Sequence, residues 1–206
     1  PAKPEIHTLG AEAAPGGADA DPYLRCPKPN WKNYAQVARW LVRMSGYGVS
    51  STLCSSVRDA CPAVGDAFGN IMSLSDGDWW NSTGIIYTYL PDLDPSTMDL
   101  WANPQMTITF TEKALGGYGR CFFTAENPPC ARLTIAGKMT RVPEAEKAQA
   151  MHFLYTRHPY MRTWPADHGF EPYWIAPENV SSFFFLDMFG PAHNFTKEEY
   201  FAANPM

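Results

Sequence analysis

Three of the five histidines, His152, His158 and His168, fall within residues 151–190, beside Arg157, Arg162 and Trp164. Imidazoles at that density could ligate a metal, sit axial to a haem iron, or relay protons. Their spacing argues for something plainer. No pair has the HExxH arrangement that sets two imidazoles on one helix face. His152 reads as a mid-helix residue, and His158 as a helix-terminal one whose ring caps carbonyls. The chain also lacks a GxSxG elbow and a CxxCH haem attachment signature. Ser73 and Ser75 have no base visible in sequence, the Ser-Asp-Gly at 75–77 reads as a turn, and no acid/base couple stands out among the carboxylates.

The five cysteines carry a different chemistry. Cys54/Cys61 and Cys121/Cys130 are short-range pairs that suit disulfides, with a natural turn through Asn127-Pro-Pro inside the second. One of Cys26, Cys54 and Cys61 must be left over. Neither pair is CxxC and no histidine is near, so zinc is the weaker reading and no metal is expected. Asn81, Asn179 and Asn194 each open an N-x-Ser/Thr sequon. Nine asparagines in a chain with this Ser and Thr content would produce about one sequon by chance, so three is an enrichment. Disulfides and sequons together point to the secretory pathway.

Phosphate chemistry can be judged from charge. Residues 59–112 contain no Lys or Arg but eight carboxylates, Asp59, Asp66, Asp76, Asp78, Asp92, Asp94, Asp99 and Glu112. A phosphate needs guanidinium or ammonium groups or a carboxylate-free helix start, and this span offers neither. The net charge of −5 and the absence of a basic cluster exclude an electrostatic nucleic-acid binder. No apolar run reaches the roughly 18 residues of a membrane span, so no membrane insertion is expected. The sequence starts at Pro1 without an initiator Met, which reads as a processed or trimmed product.

The elements that must position these residues follow from periodicity. Residues 1–22, rich in Ala, Gly and Pro, read as a flexible tail, and 23–206 as one domain. A helix is expected over 30–46, capped by Asn33, with Val37, Ala38, Leu41 and Met44 inward. Strands follow at 48–54, 67–74 and 84–90, then a short helix opened by Asp94-Pro95. Residues 105–112 alternate, with Met106, Ile108 and Phe110 on one face. A long strand over 131–142 leads to a helix from Pro143 to Arg157 with Ala148, Met151 and Leu154 or Tyr155 buried. Strand-like runs at 170–176 and 180–189 close the pattern. The second is so apolar that it reads as the central strand of the core or as one covered by a second subunit. Six or seven strands in mostly unbroken series indicate an antiparallel barrel, mostly β in an α+β class, with peripheral helices.

Ordered segments now carry a resemblance: SLSDG at 73–77, YxYLPxLD at 87–94, NPQMTITF at 103–110, NPPCARLTIAGK at 127–138, RHPxMxTWP at 157–165, His168, and LDxFG at 186–190. From about residue 33 to 200 the chain resembles the CREG (cellular repressor) family of secreted and endolysosomal glycoproteins. The resemblance implies a split β-barrel of the FMN-binding, pyridoxamine-phosphate-oxidase type, assembled as a homodimer. In the flavin enzymes the cofactor lies at the dimer interface, its phosphate held by basic and hydroxyl side chains on barrel strands. The resemblance implies that this site is lost, leaving a non-enzymatic glycoprotein without cofactor, sorted by a glycan-recognising receptor and acting in growth or differentiation control.

The family motifs make Arg157, His158, Trp164 and His168 the cleft candidates. Arg141, Arg157 and Arg162 are the cations that could still reach an interface phosphate. The alternatives are an FMN-dependent oxidoreductase, with Trp79, Trp80, Tyr87 or Trp164 against the isoalloxazine, and a haem-binding barrel using His158 or His168.

Overall fold

The computed structural model describes residues 26–58, 61, 63–119, 121–122 and 124–205. The expected tail at 1–22 lies outside the described residues. In chain order the elements are α1 (Tyr34–Met44), β1 (Tyr47–Leu53), β2 (Ala67–Gly77), β3 (Ser82–Leu90), α2 (Pro95–Ala102), β4 (Gln105–Thr111), β5 (Arg132–Lys138), β6 (Thr140–Arg141), α3 (Glu144–Arg157), β7 (Glu171–Ile175), β8 (Val180–Leu186) and α4 (Lys197–Ala202). All strand pairs are antiparallel, in the order β6-β7-β3-β2-β1-β4-β5-β8.

That order dictates the shape. Lys138 ends β5 and Thr140 begins β6, so only Met139 separates strands that sit near opposite ends of the order. Two residues span at most about 7 Å. The sheet must therefore curl until its ends approach, which makes a barrel rather than an open sheet. The expected single strand over 131–142 breaks here. Met139 is buried and its N–H donates to the Pro104 carbonyl (2.9 Å), so the chain leaves one ladder and joins another within a single residue.

Alternation sets the barrel interior. Met106, Ile108 and Phe110 of β4 and Leu133 and Ile135 of β5 point inward, as period-2 patterning requires. α1 packs against β2, β3, β4 and β5, and residues 37–44 of it are all buried. Val37, Ala38, Leu41 and Met44 are inward as expected, but Arg39 and Arg43 are buried with them. Asn33 precedes the helix without capping it, since its amide donates to Gln36 Oε1 instead. Asp94 caps α2 as its type predicts, accepting from the Ser96 and Thr97 amides.

Three further expectations change. α3 buries Ala150, Phe153 and Leu154, not Ala148 and Met151, so its inward face is rotated. The glutamates of its first turn and Arg157 of its last do match the helix dipole. SLSDG at 73–77 belongs to β2, continued to Gly77 through a register shift near Ser75. Last, β8 is an edge strand and not the centre of the core. Phe185 is fully buried, whereas Phe184 stays 51% exposed.

Candidate functional site

The turn between β2 and β3 gathers the buried charge. Asp76, at the end of β2, is fully buried, and Arg157 Nη1 lies 3.8 Å from its Oδ1. Ser82 Oγ donates to Asp76 Oδ2, and Thr83 Oγ1 donates to the Asp76 carbonyl at 2.7 Å. From α1, Arg43 donates to the main-chain oxygens of Asp78 and Trp79. Arg39 donates to the Ser82 carbonyl at 2.8 Å and to the Tyr200 and Phe201 carbonyls at 3.3 Å. Arg157 donates to the Arg43 carbonyl at 2.9 Å and lies 4.8 Å from the Trp79 ring.

Burial drives the Arg43 guanidinium below its ordinary pKa, with the Asp76 carboxylate opposing that shift. The chemistry is positional: three guanidiniums sew α1, α3 and the C-terminal helix to a turn whose own carbonyls have no strand partner. Residues 59–112 lack cations, yet cations from elsewhere close on its turn. The clue in sequence is Arg39 and Arg43, four apart in a helix stretch with Trp40, Leu41 and Val42 between them. That spacing puts both on one face, which the apolar stripe hid.

Of the cleft candidates, Arg157 and His158 belong to this group. The His158 ring meets the Leu74 carbonyl of β2 at 2.8 Å. Burial lowers its pKa, so the ring is neutral and donates through Nε2. The expected imidazole cap on the helix carbonyls is therefore replaced by a cross-link from α3 to β2. Trp164 and His168 fall in a second group on β3. Trp164 stacks on Tyr89 (5.9 Å) and packs on Phe170 (4.8 Å), while exposed His168 lies 6.2 Å from Phe170. Tyr87, a proposed flavin contact, is buried against Phe153 and Trp174, and burial pushes its hydroxyl up to about 12. Trp80 is 63% exposed. His152 stands 3.6 Å from Asp78.

The other cations are placed as follows. Arg141 pairs with Asp92 at 2.9 Å and donates to Tyr173 Oη, and Arg162 donates to the Tyr155 carbonyl. Lys28 bridges Glu112 (2.7 Å) and Asp187 (3.0 Å), both fully buried. Arg132 differs. Its Nε is buried without a hydrogen-bond partner among the described residues, and it stands opposite Thr111 of β4. It was not singled out from the sequence, because its neighbours there are only the residues of an ordinary strand. No group of three or more His, Cys, Asp or Glu that could hold a metal ion occurs among the described residues.

Arg132 lies on the outward face of the barrel. One row across that face reads Ile71, Val49, Thr109, Thr134 and Phe184, from β2, β1, β4, β5 and β8. Ile71, Val49 and Phe184 are 61%, 46% and 51% exposed, and Tyr47 and Leu53 flank the row on β1. The Thr109 and Thr134 hydroxyls are joined across it at 2.9 Å.

Cys54–Cys61 and Cys121–Cys130 are disulfides, and Cys26 is the free, buried cysteine. Asn81 and Asn194 are exposed, and Asn179 is half-buried at the end of a 3-10 turn. Two sequon hydroxyls are used in the fold: Thr83 bonds to Asp76, and Thr196 caps α4.

A family model described as "CREG, beta-barrel" matches residues 29–202. Protein CREG1 of Homo sapiens is 33% identical over 177 residues, covering 85% of this chain and 76% of that protein. Protein CREG2 of Mus musculus is 32% identical over 179 residues, covering 86% and 59%. Among solved structures, a heme binding protein from Mycobacterium smegmatis superposes with a TM-score of 0.64 at 18% identity, over 82% of this chain and 60% of that one. The protein Atu2129 from Agrobacterium tumefaciens, of unknown function, gives a TM-score of 0.59 at 15% identity, over 84% and 61%. At such identities these two likenesses are of fold alone.

Proposed function

Because the chain belongs to the CREG β-barrel family and adopts the antiparallel split barrel, we propose that it is a non-enzymatic, homodimeric glycoprotein of the secretory and endolysosomal route. The observation that carries this reading is the use made of Arg39, Arg43 and Arg157. Their terminal guanidinium nitrogens donate to main-chain oxygens and Ser82 Oγ or face Asp76, so they stitch the fold together rather than stand ready for a cofactor phosphate at that turn. The two disulfides suit an oxidising compartment, and no helix among the described residues is long and apolar enough to cross a membrane. The outward row from Ile71 to Phe184 is the surface a second copy would cover. Glycans at Asn81, Asn179 and Asn194 would supply the handle for a glycan-recognising sorting receptor. An acidic chain has no track for nucleic acid.

The test is glycopeptide and disulfide mapping of protein secreted by a eukaryotic host, with its sedimentation coefficient. Occupied sequons, both bridges and a dimer support the reading. Bare asparagines on a reduced monomer overturn it.

A second reading has one observation of its own. Arg132, whose Nε has no hydrogen-bond partner among the described residues, lies on a face that also presents Thr109, Thr111 and Thr134, and so offers a cation and hydroxyls where an interface anion such as the FMN phosphate could sit. Bound there, FMN would supply redox chemistry, and the residues of this chain would hold its phosphate. Titration with FMN, followed by flavin fluorescence, separates the readings. Stoichiometric quenching that Arg132→Met abolishes would favour the oxidoreductase. The heme-binding neighbour suggests the same check with haemin, and His158, neutral and bonded to Leu74, and exposed His168 are its only sequence-derived ligands.

A further inference from the structure

A cavity of about 520 Å3 opens between the N-terminal turn of α1 and the segments before and after α4. Its size falls in the roughly 300–1,000 Å3 range of small-molecule sites. Asn194, the asparagine of the third sequon, is part of its wall, together with Tyr34, Gln36, Phe195 and Glu199. The Asn194 side chain is exposed and makes no hydrogen bond with the described residues. The aromatic walls are braced from behind. Tyr34 stacks on His193 with centroids 3.6 Å apart, and Phe195 packs on Phe183 at 4.9 Å. Polar capacity is left over as well. Gln36 Oε1 accepts from Asn33, which leaves the Gln36 amide N–H groups, and Glu199 uses Oε2 on the Thr196 amide, which leaves Oε1.

We propose that this cavity is a cradle for the first sugars of the N-glycan carried by Asn194 of the same chain. The inference rests on the glycoprotein reading above. In the attachment, a bond forms between Asn194 Nδ2 and C1 of an N-acetylglucosamine. A lipid-linked diphosphate leaves from C1, and the amide loses one proton. The sugar then starts at the cavity wall. The apolar face of a pyranose lies on an aromatic ring, and its hydroxyl and acetamide groups find the donors and acceptors of Gln36 and Glu199. Tethering makes this encounter intramolecular, so weak contacts suffice to hold the sugar. The glycan at Asn194 is thereby a structural brace between α1 and α4 and is shielded from glycan-processing enzymes. Asn81 and Asn179 are not on this wall.

The test uses the secreted, folded protein. Peptide N-glycosidase is added under native conditions, and release at each asparagine is followed by mass spectrometry. Release at Asn194 is expected to be about tenfold or more slower than at Asn81, because a tethered ligand is mostly docked. The two should become equal after denaturation. Ala203→Trp, which fills the cavity from its wall, should bring Asn194 to the Asn81 rate. If that variant misfolds, the wild type itself still decides: a docked sugar shows a ring-current shift of its N-acetyl methyl resonance. Equal native rates, with that methyl at its free-sugar position, overturn the cradle. A bare Asn194 beside glycosylated Asn81 also overturns it while leaving the glycoprotein reading intact, and three bare asparagines overturn both.

Discussion

If the outward face is the dimer contact, Phe184 is the residue that should expose it. Phe184 lies on edge strand β8, 51% exposed, with its ring turned away from the core that Phe185 fills. Burying a whole Phe is worth roughly 1.5–3 kcal/mol, so burying the exposed half is worth about 1 kcal/mol. A two-fold interface uses each patch twice, giving about 2 kcal/mol per dimer, or about a 30-fold change in Kd. Phe184→Ala should therefore weaken association about 30-fold, and Phe184→Glu, which adds a carboxylate to desolvate, should yield monomer at micromolar concentration.

The row from Ile71 to Phe184 crosses five strands, about 19 Å at the usual spacing of about 4.8 Å. With strands of about 20 Å it covers roughly 400 Å2, a typical functional patch but about half of one side of a standard interface. Flanking segments must contribute, and exposed Phe189 beyond β8 is one source. Sedimentation velocity across a dilution series reads the Kd directly, with circular dichroism confirming that both variants fold. If wild type and Phe184→Glu sediment identically, or if the wild type is already monomeric at micromolar concentration, the face is not the contact.

Asp99, fully buried on α2, accepts from Thr52 Oγ1 and the Ser55 amide at 2.8 Å each. Its Oδ1 lies 3.1 Å from Arg58 Nε, near enough for an ion pair though out of line for a hydrogen bond. Asp99→Ala strands that cation and should cost about 3–5 kcal/mol in urea unfolding; a loss below about 1 kcal/mol would refute the network. Burial raises the Asp187 pKa, against the pull of Lys28, so the folded state holds its proton more tightly than the unfolded state. Stability from this group therefore rises as pH falls through the raised pKa towards the ordinary carboxylate value. Asp187→Asn should gain most at neutral pH, and thermal midpoints compared at pH 7 and pH 5 would show the advantage shrinking on acidification. His158 has the opposite sign: its lowered pKa means stability is lost as pH falls below about 6.5, the value of the unfolded ring. His158→Gln should flatten that limb of the profile. Removing the Cys121–Cys130 bridge by Cys→Ser at both positions should cost about 2–4 kcal/mol, read from denaturant unfolding of the secreted protein.

Local periodicity made most of this fold legible. Met106, Ile108 and Phe110 announce their strand and its inward face, and Asp94-Pro95 announces α2, because alternation and capping are decided by near neighbours. Position within the sheet was not legible. The apolar 180–189 run reads as a central strand or as one covered by a second subunit, since hydrophobicity records that a face is covered but not by what. In the structure β8 is an edge, with Phe183 and Phe185 against the core and Phe184 outward. The break at Met139 was hidden for a related reason: leaving one ladder for another changes neither residue type nor alternation.

The candidate site was legible in its members more than in its logic. Arg157 and His158 stand out in sequence, yet their partners, the Arg43 carbonyl and the Leu74 carbonyl, are main-chain atoms that no residue type advertises. Asp76 read as part of a turn because Ser-Asp-Gly is turn chemistry. The bulge near Ser75 lets the same tripeptide end a strand and face the arginines.

The non-enzymatic reading is tested most directly by the visible absorption spectrum of native protein purified from a eukaryotic secretory host without added cofactor. The prediction is no flavin band and no Soret band, with full protein recovery. A flavin or haem band at one chromophore per chain, bleached by a reductant and restored by oxidant, would contradict it.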